Sequence, residues 1–285
     1  MTTSDPRPAP IQIGDTTFQW GARTYLMGVI NSTPNSFSGD GILDPGLAAE
    51  QAIRMVEQGA DLLDIGAEST RPEHVPIGAD EEWRRLEHSL MAVRRKVDVP
   101  ITVDTTRAAV AERAFDIGAD ALNDINGLRA DPDLASLVAR LDKPAILMHN
   151  QRGRDFGGDV IEGIAAGLRT SIDIATRAGL GVERLIIDPG FGFGWRPALN
   201  MEMIHRLSEL RALGRPVLLG TSRKGTIGQV IDQPPQRRLW GTAATVALAI
   251  QQRVDIVRVH DVEEMRDVAR MTDAIVRGWS GGEPA

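Results

Sequence analysis

YLMGVIN at residues 25–31, STPNSFSGDG at 32–41 and PGLAAEQAIRMVEQG at 45–59 follow one another near the start of the chain and set its repeating pattern. The first is a compact apolar run closed by a polar residue. The second is rich in turn formers. The third has a helical pattern, with Pro just inside its start and Gly at its end. Together they read as one strand, loop and helix.

The same unit recurs along the chain. Candidate strands lie at 61–66, 100–104, 121–125, 144–149, 184–188, 216–221 and 254–259, which with 25–31 make eight. Candidate helices occupy 79–97, 106–118, 133–142, 159–179, 198–213, 235–253 and 261–278. The strands lack clean apolar–polar alternation, as expected of parallel strands covered on both faces. An open doubly wound sheet uses the same alphabet, but eight consecutive units in 285 residues favour closure into an α/β fold of the (β/α)8 TIM barrel type. Upstream, IQIGDTTFQW at residues 11–20 reads as a short N-terminal β-hairpin, able to cover the barrel bottom. Residues 11–280 are thus one domain, with flexible tails expected at 1–10 and 281–285.

Composition narrows the function classes. The 32 basic and 39 acidic residues give a net charge of −7, which argues against a general nucleic-acid surface. There is no cysteine, so neither a disulfide framework nor thiolate chemistry is available. No segment approaches the roughly 20 apolar residues of a membrane helix, and no membrane partner is expected. A cytoplasmic protein fits these features best.

Polar residues gather where the predicted strands stop: Asn31, Asp64, Asp104, Asn123, His149, Asp188, Ser222-Arg223-Lys224 and Arg258-Val259-His260. In a barrel these positions face one another across the C-terminal mouth. Asp104 and Asp188 can each accept paired hydrogen bonds from an amidine-like heterocycle or serve in acid–base chemistry, and Asn123 complements a ring bearing NH and C=O groups. Helix capping is the competing reading, above all for Asp104. Gly220-Thr221-Ser222-Arg223-Lys224-Gly225 combines glycine freedom, hydroxyls and two cations, and can hold an anion or simply cap a loop. Arg258 and His260, two apart, share one side of an extended strand. Glu68-Ser69-Thr70-Arg71-Pro72 reads as a second anion-contacting loop or as an exposed one. Asn31-Ser32-Thr33-Pro34-Asn35-Ser36 offers neutral oxygens to a hard cation such as Mg2+. In DPGFGFG at 188–194 a Phe can line a flat pocket, and its position after the sixth strand is wrong for a dinucleotide fingerprint.

MGVINSTPNSFSGDG at 27–41, DIGAESTRP at 64–72, VDTTR at 103–107, NDING at 123–127, DPGFGFG, GTSRKG at 220–225 and RVHDV at 258–262, in this order, resemble the dihydropteroate synthase family of pterin-binding enzymes from about Tyr25 to Ala269. The resemblance implies a transferase of folate biosynthesis, a target of sulfonamides. It would join 6-hydroxymethyl-7,8-dihydropterin diphosphate to 4-aminobenzoate and release diphosphate. Asp104, Asn123, Asp188, Lys224 and Arg258 would hold the pterin, with Asp104, Lys224, Arg258 and His260 carrying catalysis. Asn31, Thr70, Arg71, Arg258 and His260 would bind diphosphate, with Asn31 also serving the Mg2+ cofactor. Pro72, Phe193, Ser222 and Lys224 would flank the aminobenzoate. The family also implies a homodimer formed through outer barrel helices.

The chain departs from the family pattern near the entrance. Asn35 stands where Asp is frequent, Glu73-His74 follow Pro72 in place of Gly, Trp195 stands where Lys is frequent, and MHNQRG at 148–153 replaces MHMQG. Two alternatives are weighed: a pteridine-binding methyltransferase domain, which lacks a use for GTSRKG plus RVHDV, and a binding paralogue with weakened catalysis.

Overall fold

The structure, a computed structural model, describes residues 7–33, 44–69, 75–154 and 157–279. Strands β1 (Ile11–Ile13) and β2 (Thr16–Phe18) pair antiparallel as the expected hairpin. Eight parallel strands follow: β3 (Tyr25–Asn31), β4 (Leu62–Gly66), β5 (Ile101–Asp104), β6 (Ala121–Asp124), β7 (Ala145–Met148), β8 (Leu185–Asp188), β9 (Leu218–Leu219) and β10 (Ile256–Val259). Their order in the sheet is β8-β7-β6-β5-β4-β3-β10-β9. The outer two meet through a parallel bridge between Ile187 and Val217, with Ile187 N donating to Pro216 O at 3.0 Å. The sheet therefore curls into a nearly closed barrel, and the open-sheet alternative falls away.

Between the strands run α1 (Pro45–Glu57), α2 (Ala79–Arg94), α3 (Ala108–Asp116), α4 (Pro132–Arg140), α5 (Val160–Arg177), α6 (Pro197–His205), α7 (Gly225–Ile231), α8 (Leu239–Gln251) and, after the last strand, α9 (Val262–Arg277). Their starts follow local chemistry. Asp44, Asp131 and Asp159 accept first-turn amides of α1, α4 and α5. Pro occupies the first turn of α1, α4 and α6, where its missing N–H costs no helical bond. Among the described residues no helix is long and apolar enough to cross a membrane.

The period of two along each strand sorts the residues by destination. Tyr25, Met27, Leu62, Ala121, Ile146, Ile186, Leu218 and Ile256 point into the barrel and form one buried cluster with Ile11, Ile13, Phe18 and Trp20 of the hairpin segment. The hairpin thus plugs the N-terminal end, as its sequence allowed. Trp20 Nε1 also donates to Ala9 O at 2.9 Å, so the described end of the expected N-terminal tail lies against the plug. Leu63, Ile65, Ile101, Val103, Leu122, Ile187 and Val257 take the other parity and pack in the larger cluster with the helices. Two residues beyond the plugged layer, the inward parity turns polar: Asp64 after Leu62, Asn123 after Ala121, Asp188 after Ile186, Arg258 after Ile256. A dry floor below and a polar mouth above follow from the same alternation.

Three elements differ from the sequence expectation. The helix expected over 198–213 breaks at Arg206 into α6 and a 3-10 segment, Leu207–Leu213, closed by Gly214 in the left-handed region at φ 67°. Arg206 is held at the break by Asp159, Glu202 and Glu209, which favours a tightened turn there. The helix expected from 235 begins at Leu239, because Pro234-Pro235 supply no amide to a helical ladder and form a short 3-10 turn. The seventh strand contracts to Leu218–Leu219, since Pro216 cannot donate to the sheet, and its crossover gains α7 directly after GTSRKG.

Candidate active site

Four inward-facing strand ends form the centre of the mouth. Asp64 of β4 is fully buried and accepts from Asn123 Nδ2 at 3.0 Å, from Arg258 Nε at 2.6 Å and from Thr102 Oγ1. Arg258 Nη2 reaches Asp104 Oδ2 at 3.1 Å, so one guanidinium passes the end of β3 and bridges the ends of β4 and β5. Register places these groups together: Asp64 pairs with Thr102, Asp104 with both Gly66 and Asn123. Gly66 suits that crowding, because a Cβ added there would lie 3.1 Å from the Asp104 Cβ and push on it.

A second acid–base pair closes the floor from the β8 and β9 side. Asp188 Oδ1 accepts from Gly190 N at 2.8 Å, which fixes the carboxylate at the end of β8. Gly190 has φ 78°, and a Cβ there would come within 1.9 Å of His149 O, so both conformation and space demand glycine. Lys224 Nζ donates to Phe191 O at 2.6 Å and stands 4.6 Å from the centroid of the Phe193 ring.

Burial perturbs these groups in opposite senses. Desolvation, reinforced by Asp64 and opposed by Arg258, pushes Asp104 up to about 8. Asp188 is also raised by burial, against the pull of Lys224 and the Gly190 amide. Desolvation draws Lys224 down to about 7, despite the favourable field of Asp188. Burial opposes the charge on Arg258, but Asp64 and Asp104 outweigh it and hold the guanidinium above its ordinary value. Perturbed groups converging in one mouth are the electrostatic signature of a functional site.

The sequence-derived residues divide clearly. Asp104, Asn123, Asp188, Lys224 and Arg258 come together. Asp104 is not a helix cap: Arg107 precedes α3, and Asp131 accepts the Ala108 amide at 2.8 Å. Asn31 ends β3 at the same mouth. His260 and Ser222 join the ends of β10 and β9, with His260 Nδ1 2.9 Å from Ser222 Oγ. Phe193 lies beside Lys224. Thr70, Arg71, Pro72, Asn35 and Glu73 lie outside the described residues. The GTSRKG loop is not an open cradle of two cations: Arg223, at φ 58°, is paired with Asp261, while Lys224 turns into the floor. His149 also leaves the set. Its Nε2 lies 3.1 Å from Gln151 Oε1, its ring packs against Trp195, and burial pulls it down to about 4.

Sequence reading gave Asp64 no role in binding, although it is the carboxylate that aims both Arg258 and Asn123. Its signal was the shared parity with Leu62 in the strand. Trp195 also corrects an expectation: it is buried in the main core and adds no bulk to the entrance. The entrance instead receives Arg152, whose guanidinium carbon lies 4.5 Å from the Phe193 ring centroid.

A family model described as pterin binding enzyme matches residues 27–260. The dihydropteroate synthase of Synechocystis sp. is 42% identical over 283 residues, covering 96% of this chain and 98% of that protein. A solved dihydropteroate synthase from Clostridium difficile, determined in the presence of pteroic acid, superposes with a TM-score of 0.87 at 46% identity, covering 91% of this chain and 99% of that one. The Xanthomonas albilineans dihydropteroate synthase determined with 4-aminobenzoic acid gives 0.87 at 35% identity, over 94% of this chain and 98% of that one. With matches spanning nearly the whole chain, and Asp104, Asn123, Asp188, Lys224 and Arg258 converging at one mouth, the chain belongs to the pterin-binding enzyme family, among its dihydropteroate synthases.

Proposed function

We propose that this chain condenses 6-hydroxymethyl-7,8-dihydropterin diphosphate with 4-aminobenzoate, giving 7,8-dihydropteroate and diphosphate in folate biosynthesis. The carrying observation is the buried floor in which Arg258 spans Asp64 and Asp104 beside Asp188 and Lys224. A pterin is flat, with an amidine-like edge bearing two N–H donors. Asp188, anchored through one oxygen, offers the other edge of its carboxylate to that pair, and its negative field is matched by Lys224. Asn123 is fixed by donation to Asp64 and presents its amide oxygen and remaining N–H to the ring. Arg258, held in plane by two carboxylates, covers a ring face.

The pterin methylene loses its C–O bond to diphosphate and gains a C–N bond to the arylamine. The bonding electron pair leaves with the diphosphate, and the amine proton passes to that leaving group or to water. Positive charge develops at the methylene and negative charge on the departing oxygen. Asp104 stabilises the former in its ionised form, which the Arg258 guanidinium favours. Arg258 and His260 face the latter, with Thr70 and Arg71 assigned to the same subsite. No protein nucleophile is needed. Phe193, Pro72, Ser222 and Lys224 are assigned to the aminobenzoate.

Magnesium belongs to this proposal, and the donor set fits it. Asn31 supplies a hard amide oxygen, and the neighbouring Ser32 Oγ is buried without a hydrogen-bond partner, suited to receiving a metal-bound water. Mg2+ commonly completes its coordination with substrate phosphate and water. When bound, Mg2+ supplies positive charge to the leaving diphosphate.

A homodimer and a cytoplasmic location complete the proposal. The dimer is supported by exposed apolar side chains on neighbouring outer helices: Trp240 and Leu248 on α8, Met271 and Ile275 on α9. Light scattering on wild type and Trp240→Glu tests it, and cell fractionation tests the location. The activity itself is tested by incubating purified protein with both substrates and Mg2+ and measuring dihydropteroate and diphosphate. A folded protein giving neither product would sink the assignment.

A further inference from the structure

A cavity of about 240 Å³ opens above Asp104 and is lined by Arg107, Asn126, Asn150 and Arg152 among others. Its two guanidinium groups differ. Arg107 is neutralised, pairing with Glu68 at 2.5 Å and with buried Glu82, and donating to Ile77 O at 2.7 Å. Arg152 is not. Its guanidinium has no acidic partner among the described residues, and burial alone draws it below the ordinary arginine value. What it does touch is the Phe193 ring, at 4.5 Å, on which Lys224 also rests.

The position of Arg152 is built. Gln151 N donates to Phe193 O at 3.1 Å, Arg152 N donates to Asn150 Oδ1 at 3.1 Å, and a Cβ added to Gly194 would come within 2.5 Å of Arg152 N. The loop after β7 is therefore locked against DPGFGFG, and Arg152 is carried to the aromatic wall by backbone contacts. A half-buried cation stacked on an aromatic ring, beside an open mouth and without an acidic partner among the described residues, is complementary to a flat aromatic anion.

We propose that Arg152 is a specificity-determining residue of the arylamine subsite, pairing with the carboxylate of 4-aminobenzoate while remaining stacked on Phe193. This rests on the reading of Phe193 as the aminobenzoate wall. The guanidinium selects the carboxylate over uncharged arylamines, and it plays no part in holding the diphosphate, which lies toward Arg258 and His260.

The test compares wild type, Arg152→Met and Arg152→Lys, measuring KM for each substrate and the inhibition constant of sulfanilamide, an uncharged arylamine of the same shape. Arg152→Met is expected to raise KM for 4-aminobenzoate about 10-fold, with Arg152→Lys recovering part of the loss. The pterin diphosphate KM and the sulfanilamide constant should stay within about 2-fold of wild type, since neither contact involves that charge. A parallel loss of 4-aminobenzoate and sulfanilamide affinity would overturn the proposal by making Arg152 a prop for Phe193, and a rise in pterin diphosphate KM would overturn it by placing Arg152 on the phosphate side. No change in any constant would overturn it as well. Should Arg152→Met fail to fold, wild type decides: its KM for 4-aminobenzoate must rise with ionic strength while the sulfanilamide constant stays flat. Wild type that forms no dihydropteroate would instead sink the underlying functional reading.

Discussion

At the N-terminal end of the barrel Asp61 accepts the amide of Leu26 at 2.8 Å, Asp120 that of Ile101 at 2.9 Å, and Asp255 that of Val217 at 2.9 Å, whereas at the C-terminal end Asp64 and Asp104 meet Arg258 past the end of β3. Each of the first three stands immediately before a strand and ties down the start of its neighbour: β4 to β3, β6 to β5, and β10 to the segment entering β9. These carboxylates take the place of missing sheet partners. The mouth carboxylates differ: Asp64 is taken up in aiming Arg258 and Asn123, while Asp104 and Asp188 are held beside the site at the cost of raised proton affinity. One residue type serves as a brace at one end and as an instrument at the other. Strand direction decides which, because loops converge on a site only where parallel strands end.

Four substitutions or titrations can break this contrast or sharpen it. Asp188→Ala should lower kcat/KM about 100-fold, the loss of paired charge-assisted bonds to the pterin, while calorimetry shows weakened pterin binding and the melting temperature holds or rises because an unfavourably buried acid is gone. A loss below about 10-fold would mean that Asp188 is only a turn former for Gly190.

Asp64→Asn should have the next largest effect, mixing both behaviours. It leaves Arg258 with Asp104 alone and is expected to cost about 2 kcal/mol of stability in denaturant unfolding, together with a drop in turnover. Unchanged stability with unchanged kinetics would show that Arg258 needs no second carboxylate. Asp120→Ala at the opposite end is expected to cost about 1 kcal/mol, through the Ile101 amide and Arg94, with both KM values and kcat within about 2-fold of wild type. A kinetic defect there would erase the distinction between the two ends.

The smallest effect is a slope. Asp104 is raised in the folded state, so its stabilising contribution is fully present below the unfolded carboxylate value and is lost as pH rises toward about 8. Lys224 is depressed, so its contribution is present above the unfolded lysine value and is lost as pH falls toward about 7. Between roughly pH 4 and 7 only the Asp104 slope acts of these two. Asp104→Asn should therefore gain on wild type as pH climbs through that window, by at most about 1 kcal/mol per pH unit, measured as the difference between their unfolding free energies. A constant difference would place the Asp104 proton elsewhere.

Much of this site could be read along single strands. Asp104, Asn123, Asp188 and Arg258 announce themselves as polar residues closing apolar runs, and the order of the loops carried the family. Asp64 was harder, because it sits inside DLLDIG with apolar residues on both sides, and only its parity with Leu62 points it into the lumen. Arg152 was hidden for a different reason: its partner Phe193 lies on another loop, and no spacing rule connects residues that meet by loop packing. Trp195 was misread toward the entrance because a neighbour in sequence, Phe193, does face it. Gly194, at φ 86° between them, turns the two aromatics into different surroundings.

By itself the sequence determined the repeated strand and helix units, the parallel barrel and the chemical character of its mouth, because hydrophobic period, caps and turn formers are local properties that each segment carries with it. Tertiary structure alone decided which charges would meet: that Arg223 is committed to Asp261, that Arg258 reaches past β3 to Asp64, and that Arg152 stands over Phe193 with no acidic partner among the described residues. Pairing energies depend on separation and burial, and neither exists until the eighth strand has brought the ends of the sheet together.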